Sequence, residues 1–561
     1  MEDYKNLYTM WLDKCKDETL LQELNEIQGD DEAILDRFYT SLQFGTAGLR
    51  GVLGAGTNRM NIYTVNQATQ GIADYLNATF ENPTIAIAYD SRINSDVFAR
   101  ETAGVFAANG IKAYIYKELV PTPMLSYAVR ELGCASGVII TASHNPAKYN
   151  GYKCYDPQGY QMTDEAADEA YKYIQKVDMF ADVKTKDFDE GLADGSIEYI
   201  SDAVYEKFFD LVQSKCINEA ACAEANLKVV YTPLNGTGNK PVRYILDRIG
   251  VKQVTVVPEQ ENPDGNFPTC PYPNPEIRQA FECALKTAAE VDADLLLATD
   301  PDCDRVGIAV KDGDDYKLMS GNEVGALFTE YVLSQYKEKG CMPENPVVVE
   351  SIVTTDLVKA IAKDYGASVY NTLTGFKYIG EFITNLEKEG KEDNFVVGME
   401  ESYGYLLGIH ARDKDAVVAS QLICEMASYY KTKGKSLLDV MNDLYAKYGI
   451  YLNKVESFAF EGAAGMDKMA NIMSTLRDNA PKTVAGKDVT EVIDFKNSEA
   501  TGLPASNVLN YKLPEGASII VRPSGTEPKI KFYITATGKT FEEANALYEA
   551  ILADAKTWLE V

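Results

Sequence analysis

Histidine is nearly absent: the 561 residues contain only two, His144 and His410. A zinc site built on several imidazoles is therefore excluded. The ten cysteines are scattered and include no Cys-x-x-Cys pair, and they read as reduced, mostly buried residues of a cytoplasmic protein. No apolar run approaches the ~18 residues needed to span a bilayer. The opening Met-Glu-Asp-Tyr-Lys carries no basic region followed by an apolar stretch, so no secretory signal is expected. Basic residues are in deficit, with 54 Lys and Arg against 84 Asp and Glu, a net charge of −30. That balance argues against nucleic acid and against an anionic membrane as partners. A phosphorylated small molecule stays open only if the cations that meet it are locally concentrated.

What is present describes an ordinary globular protein, 46% apolar and 25% charged. At roughly 100–200 residues per domain, the length predicts three to five domains. One arrangement recurs three times: an amphipathic helix ends at a glycine and a strand rich in β-branched and aromatic residues follows. The instances are Ala103–Gly110 with Ile111–Tyr116, Tyr244–Gly250 with Val251–Val257, and Ile361–Gly366 with Ala367–Asn371. Strand-like runs precede each, at Thr84–Tyr89, Leu227–Tyr231 and Pro346–Ser351. Strand, helix, strand in that order predicts the crossover unit of a parallel sheet. The spacing of Gly110, Gly250 and Gly366 predicts three similar α/β domains in tandem. A helical segment (roughly 3–40) precedes them. Strands near 451–461, 518–522 and 529–535, with helices at 465–478 and 541–558, predict a smaller α+β domain at the C-terminal end. The expected division is 1–205, 206–322, 323–449 and 450–561.

Ligands of parallel α/β sheets gather beyond the carboxyl ends of the strands, and four such loops stand out. In Gly137-Val-Ile-Ile-Thr-Ala-Ser143-His144-Asn145-Pro146, an apolar strand delivers Ser143 beside His144, with Lys153 ten residues on. That serine reads as a nucleophile or phosphate carrier, or as a simple turn or cap residue. In Thr299-Asp300-Pro-Asp302-Cys-Asp304-Arg305, three carboxylates crowd the end of a buried strand. Such crowding is costly unless a cation neutralises it, and a hard ion such as Mg²⁺ suits it. An EF-hand is excluded, because Arg305 and Lys311 stand where it needs Gly and Glu. Glu400, Glu401 and Ser402 after Phe395-Val-Val-Gly, and the loop Thr374-Gly375-Phe376-Lys377, offer partners for sugar hydroxyls. The fourth loop, Arg522-Pro-Ser524-Gly525-Thr526-Glu-Pro-Lys-Ile-Lys531, supplies a guanidinium fork, hydroxyls and a small residue, a combination that suits a terminal phosphate or a proline-glycine turn.

These loops, in this order, resemble the α-D-phosphohexomutase family of phosphoglucomutases and phosphomannomutases. The resemblance runs from Phe44-Gly-Thr-Ala-Gly-Leu-Arg50-Gly51 to Lys531 and is carried by Thr141-Ala-Ser-His-Asn-Pro146, Asn150-Gly-Tyr-Lys153 and Asp300-Pro-Asp-Cys-Asp-Arg305. It is greatest to the branch that includes phosphoglucomutase-2 and phosphopentomutase, through the long N-terminal segment and Gly-Met-Glu-Glu-Ser-Tyr-Gly. The resemblance implies three similar α/β domains and a smaller α+β domain around a central cleft. It implies that Ser143 carries the phosphoryl group and that Asp300, Asp302, Asp304 and a phosphoserine oxygen hold Mg²⁺. Glu400 and Ser402 would hold sugar hydroxyls, Gly375 would lie in the loop that senses sugar orientation, and Lys377 would add to substrate binding. Arg522, Ser524, Gly525 and Thr526 would hold the non-reacting phosphate. Arg50, His144, Lys153 and Arg305 would surround the group in transfer. Gly404 stands where one branch has histidine, which makes Lys414 the acid/base candidate.

The expected activity is interconversion of glucose 1-phosphate and glucose 6-phosphate through a hexose 1,6-bisphosphate, which also serves as activator, in a cytoplasmic monomer or homodimer. Alternatives within the family are phosphomannomutase, phosphopentomutase and bisphosphate synthase. Outside that chemistry stand a metal-dependent phosphatase and a phosphosugar sensor.

Overall fold

The computed structural model describes residues 3–45, 47–460, 462–524 and 529–560. It divides into two compact units: residues 1–319, 379–392 and 402–432 form one, and residues 320–378, 393–401 and 433–561 form the other.

The first unit contains two mixed sheets. In one, the strands run in the order Gly48–Val52, Tyr149–Tyr155, Ser136–Ile140, Thr84–Tyr89, Lys112–Ile115 and Ile197–Tyr199. The last four are parallel and the first two are antiparallel additions. The second has the order Asp315–Met319, Val306–Asp312, Leu295–Thr299, Lys228–Thr232 and Gln253–Val256, again with a parallel side and an antiparallel side. Ser136–Ile140 and Leu295–Thr299 are buried at every position, because helices cover both faces of a parallel sheet. Both strands therefore read as unbroken small or apolar runs, and each ends in a polar loop.

Three helices, Asp3–Lys14, Glu18–Glu26 and Asp31–Phe38, form the predicted N-terminal segment. Trp11 anchors them through edge-on contacts with Phe38, Tyr63 and Phe180 at centroid separations of 5.8, 5.4 and 5.4 Å.

In the second unit, Ser368–Thr372, Val347–Ser351 and Phe395–Glu400 lie side by side in parallel. The C-terminal part is a five-stranded antiparallel sheet in the order Ile450–Ala459, Lys529–Gly538, Ser518–Pro523, Leu509–Lys512 and Glu491–Asp494. Helices Gly462–Asp478 and Phe541–Thr557 cover it, with Met473, Leu476, Tyr548 and Ile551 packed on Val521, Phe532 and Ile534. Two of those strands were not predicted. Each is four residues long, too short for alternation to separate it from a loop.

The three helix-to-strand glycines behave alike. Gly110, Gly250 and Gly366 have φ of 76°, 91° and 71°, the left-handed conformation that closes a helix without a Cβ penalty. Three tandem α/β folds and a smaller α+β fold follow from these elements.

Candidate active site

Ser143 lies three residues beyond the strand Ser136–Ile140 and has φ of 53°. A non-glycine residue in that region costs of order 1–3 kcal/mol and persists only where its surroundings hold it. Its backbone N–H donates to Thr141 Oγ1 at 2.8 Å. The side chain is buried, and its hydroxyl donates to Asp300 Oδ2 at 2.9 Å. Arg305 Nη1 donates to the same Oγ at 2.8 Å, and His144 Nδ1 lies 3.2 Å away. The serine loop of one sheet and the carboxylate loop of the next thus meet at a single oxygen.

Asp300, Asp302 and Asp304 are all buried, and each offers an oxygen within 4.8 Å of the others. Asp300 Oδ1 accepts from the N–H groups of Asp304 and Arg305, at 3.1 and 3.0 Å. Asp302 Oδ2 accepts from Lys153 Nζ at 2.9 Å and from Thr122 Oγ1 at 3.0 Å. Asp304 faces Arg305 at 3.0 Å and Lys414 Nζ at 3.2 Å. Asp302 Oδ1 is buried without a hydrogen-bond donor. Such an oxygen is costly in a protein interior and is the donor type a hard cation takes. This cluster can hold a metal ion.

Desolvation, followed by the charges of Asp302 and Asp304, pushes the Asp300 carboxyl well above its usual range. Burial also disfavours ionised Asp302, but Lys153 overcomes that and holds it below the ordinary value. His144 is driven down to about 3, first by burial and then by the Arg305 charge, so it is neutral near pH 7 and donates or accepts without adding a cation. The cations of the site are Lys153, Arg305, Lys414 and Arg50. Arg50 is exposed on the strand Gly48–Val52 and is coupled electrostatically to Arg305, Asp302 and Asp304.

Lys414 owes its place to a glycine. A Cβ on Gly404 would lie 2.2 Å from Lys414 Cδ, so any side chain at 404 would displace the lysine stem. Asp413 Oδ1 accepts from Lys414 Nζ at 3.1 Å, while Asp413 Oδ2 accepts from Tyr155 Oη at 2.6 Å. Ser402 contributes its carbonyl, which accepts from Arg305 Nε at 3.1 Å.

The second unit carries the other predicted residues. Glu400 ends the strand Phe395–Glu400, is buried, and accepts from the Gly375 N–H at 2.7 Å. Gly375 has φ of 121°, open to glycine alone. Lys377 is buried and its ammonium lies 5.2 Å from the Tyr378 ring centre. Arg522 is half-buried on Ser518–Pro523 and interacts with Tyr533, which also feels the charges of Glu401 and Glu400. Burial, then those carboxylates, pushes the Tyr533 hydroxyl up to about 12. Ser524 donates its N–H to Lys529 O at 2.7 Å, and Gly525 and Thr526 lie outside the described residues.

Sequence reasoning passed over Thr122, Asp413, Tyr533 and Arg92. Arg92 could have been found, because Asp90-Ser91-Arg92 follows the strand Thr84–Tyr89 just as the other loops follow theirs.

The chain matches family models described as phosphoglucomutase/phosphomannomutase α/β/α domain I, domain II and domain III at residues 41–180, 206–313 and 320–448. It is 36% identical over 532 residues to a phosphoglucomutase of Staphylococcus haemolyticus, covering 92% of this chain and 95% of that one. A phosphoglucomutase of Staphylococcus saprophyticus is 34% identical over 552 residues, covering 96% and 98%. Among solved structures, the open form of the Paramecium phosphoprotein pp63/parafusin, a phosphoglucomutase, superposes with a TM-score of 0.71 at 16% identity, over 93% of this chain and 95% of that one. A family protein from Burkholderia thailandensis gives 0.69 at 18% identity, over 92% and 97%. At these identities the two structures speak to fold alone.

Proposed function

The chain belongs to the phosphoglucomutase/phosphomannomutase family, and from that premise we propose how its residues interconvert glucose 1-phosphate and glucose 6-phosphate. The enzyme is a phosphosugar mutase, an isomerase that works by phosphoryl transfer. The carrying observation is the convergence on Ser143 Oγ of Asp300 Oδ2 at 2.9 Å and Arg305 Nη1 at 2.8 Å. An acceptor oxygen, a carboxylate cluster and a guanidinium within one buried site are the components of phosphoryl exchange.

Ser143, as its phosphate ester, gives its phosphoryl group to the free hydroxyl of the bound sugar phosphate. The serine O–P bond breaks, the sugar O–P bond forms, the sugar hydroxyl gives up its proton and Ser143 Oγ regains one. Lys414, between Asp304 and Asp413, is the acid/base candidate and takes the proton only in its neutral form. The product is glucose 1,6-bisphosphate, whose added free pool also charges the enzyme. It turns over within the site, and its other phosphate returns to Ser143. Asp300, Asp302 and Asp304, with an oxygen on Ser143, would hold Mg²⁺. When bound, that ion supplies neutralisation of the charge spreading over the transferring phosphoryl oxygens.

Arg305 and Lys153 add fixed positive charge at the buried centre, where it is worth most because water is excluded, and the exposed Arg50 adds to it from the edge. Glu400 and Ser402 bind sugar hydroxyls, Gly375 and Lys377 add to substrate binding, and Arg522, Ser524, Gly525 and Thr526 take the phosphate that is not in transfer. Among the described residues no helix is long and apolar enough to cross a membrane, and the free cysteines fit the reduced, cytoplasmic setting read from the sequence.

Ser143→Ala is expected to remove turnover by on the order of 10⁴-fold or more, as loss of a covalent carrier does. Isomerised sugar phosphate and free phosphate are measured together. Full retained turnover refutes the serine's role, and phosphate release without isomer would mark a phosphatase. Initial rates on glucose, mannose, glucosamine and ribose phosphates rank the sugars.

A further inference from the structure

Arg92 is wholly buried just beyond Thr84–Tyr89, the parallel neighbour of the strand that leads to Ser143. Among the described residues, all the hydrogen bonds of its guanidinium go to one loop. Nη2 donates to Ser143 O at 2.5 Å and to Asn145 O, and Nη1 donates to Pro146 O at 3.1 Å and Tyr149 O at 3.0 Å. Its Nε lies 3.4 Å from Asp90 Oδ2, and its face rests 5.1 Å from the Phe267 ring centre. The other Asp90 oxygen accepts from Arg92 N–H at 2.9 Å and from Ser95 Oγ at 2.8 Å. Ser95 Oγ accepts in turn from Asn150 Nδ2 at 3.0 Å, and Asn150 Oδ1 accepts from Gly151 N–H at 2.7 Å. The segment from Ser143 to Gly151 is tied at both ends to one buried ion pair.

We propose that Arg92 is a positioning residue for phosphoryl transfer, setting the Ser143 Oγ trajectory through the Ser143 carbonyl; this rests on the reading of Ser143 as phosphoryl carrier. Arg92 has no hydrogen bond to Oγ or to the aspartates, so it is not a catalytic residue. Ser143 sits at φ 53°, where its peptide plane has to be imposed from outside. A guanidinium clamped on that carbonyl imposes it. Burying a guanidinium is costly, and only its planar fork spans four carbonyls at once. A lysine keeps the charge and loses the fork. An oxygen displaced by 1 Å loses about 100-fold in rate.

The test is site titration of the full-length enzyme with Mg²⁺ and labelled glucose 1,6-bisphosphate, comparing wild type, Arg92→Lys, Arg92→Ala and Asp90→Asn. The proposal expects Arg92→Lys to take up label to the wild-type stoichiometry and pass it to sugar phosphate about 100-fold more slowly per labelled site. KM should move by less than about threefold, since ground-state binding is untouched. Added guanidinium ion should restore part of the Arg92→Ala rate. Asp90→Asn, which keeps the arginine while replacing its counter-charge and one acceptor oxygen by an amide, should lose about tenfold per site, roughly one lost charge-assisted contact. Fewer labelled sites that each turn over at the wild-type rate would show a purely structural arginine and overturn the proposal. If both Arg92 variants fail to fold, an unchanged per-site rate in Asp90→Asn overturns it. A wild-type enzyme that takes no label would instead sink the reading of Ser143.

Discussion

The serine–carboxylate centre of the first unit and the loops at Gly375, Glu400 and Arg522 of the second differ in how densely they gather charge. In the first, Asp300, Asp302, Asp304 and Ser143 are buried, and Lys153, Arg305 and Lys414 are held by named carboxylates between 2.9 and 3.8 Å. In the second, the buried Glu400 accepts from the Gly375 N–H at 2.7 Å, and Arg522 is half-buried beside Tyr533. Charge that must stabilise a transferring phosphoryl group acts best when it is already in place. Under the proposed reading, groups that hold the sugar alike in the ground state and the transition state act on binding. Damage to the first region should therefore appear in kcat, and damage to the second in KM.

The largest expected break is Arg305→Ala. It removes the donor 2.8 Å from Ser143 Oγ and should lower kcat by about 10²–10³-fold, the scale of a lost transition-state donor. Steady-state kinetics check it, and a loss confined to KM would contradict the comparison. Next is Gly404→Ala, whose new Cβ would meet Lys414 Cδ at 2.2 Å. Displacing Lys414 should lower kcat by about 100-fold with little change in KM. Unaltered kcat would remove Lys414 from the chemistry.

Glu400→Gln keeps the shape and weakens the acceptor of the Gly375 N–H. It should raise KM for sugar phosphate by about tenfold and leave labelling of Ser143 untouched. The smallest effect on turnover is expected at Glu350, buried in the second unit and pushed up to about 8 chiefly by burial, against the opposing Lys359 charge. Its folded value lies above the unfolded one, so the native state binds a proton that the unfolded chain releases. The stability this contributes is complete below about pH 4.5 and is lost as pH rises toward 8. Urea midpoints of wild type should fall across that window, and Glu350→Gln should flatten the fall while leaving kcat alone.

Much of this was legible beforehand, for identifiable reasons. Ser143 and the three aspartates stand at the ends of runs so small and apolar that burial on both faces was the natural reading. Crowded acids there needed a cation. The glycines at 110, 250 and 366 marked helix ends because their conformation is a local property. The strands Glu491–Asp494 and Leu509–Lys512 left no such trace. Nor did the partners that orient the site. Thr122 meets Asp302 across 180 positions, and Tyr155 meets Asp413 across 258. No local pattern encodes a pairing at that separation.

By itself the sequence determined the three α/β crossovers, the smaller fourth fold and the residue types each loop presents. These depend on periodicity, turn chemistry and desolvation, all of which act within a few residues. Only the tertiary structure decided that Asp300 and Arg305 share one serine oxygen, that Gly404 vacates the space Lys414 fills, and that Arg92 holds the serine loop from behind. Those outcomes depend on distances of a few ångströms between segments far apart in the chain, and only packing sets such distances.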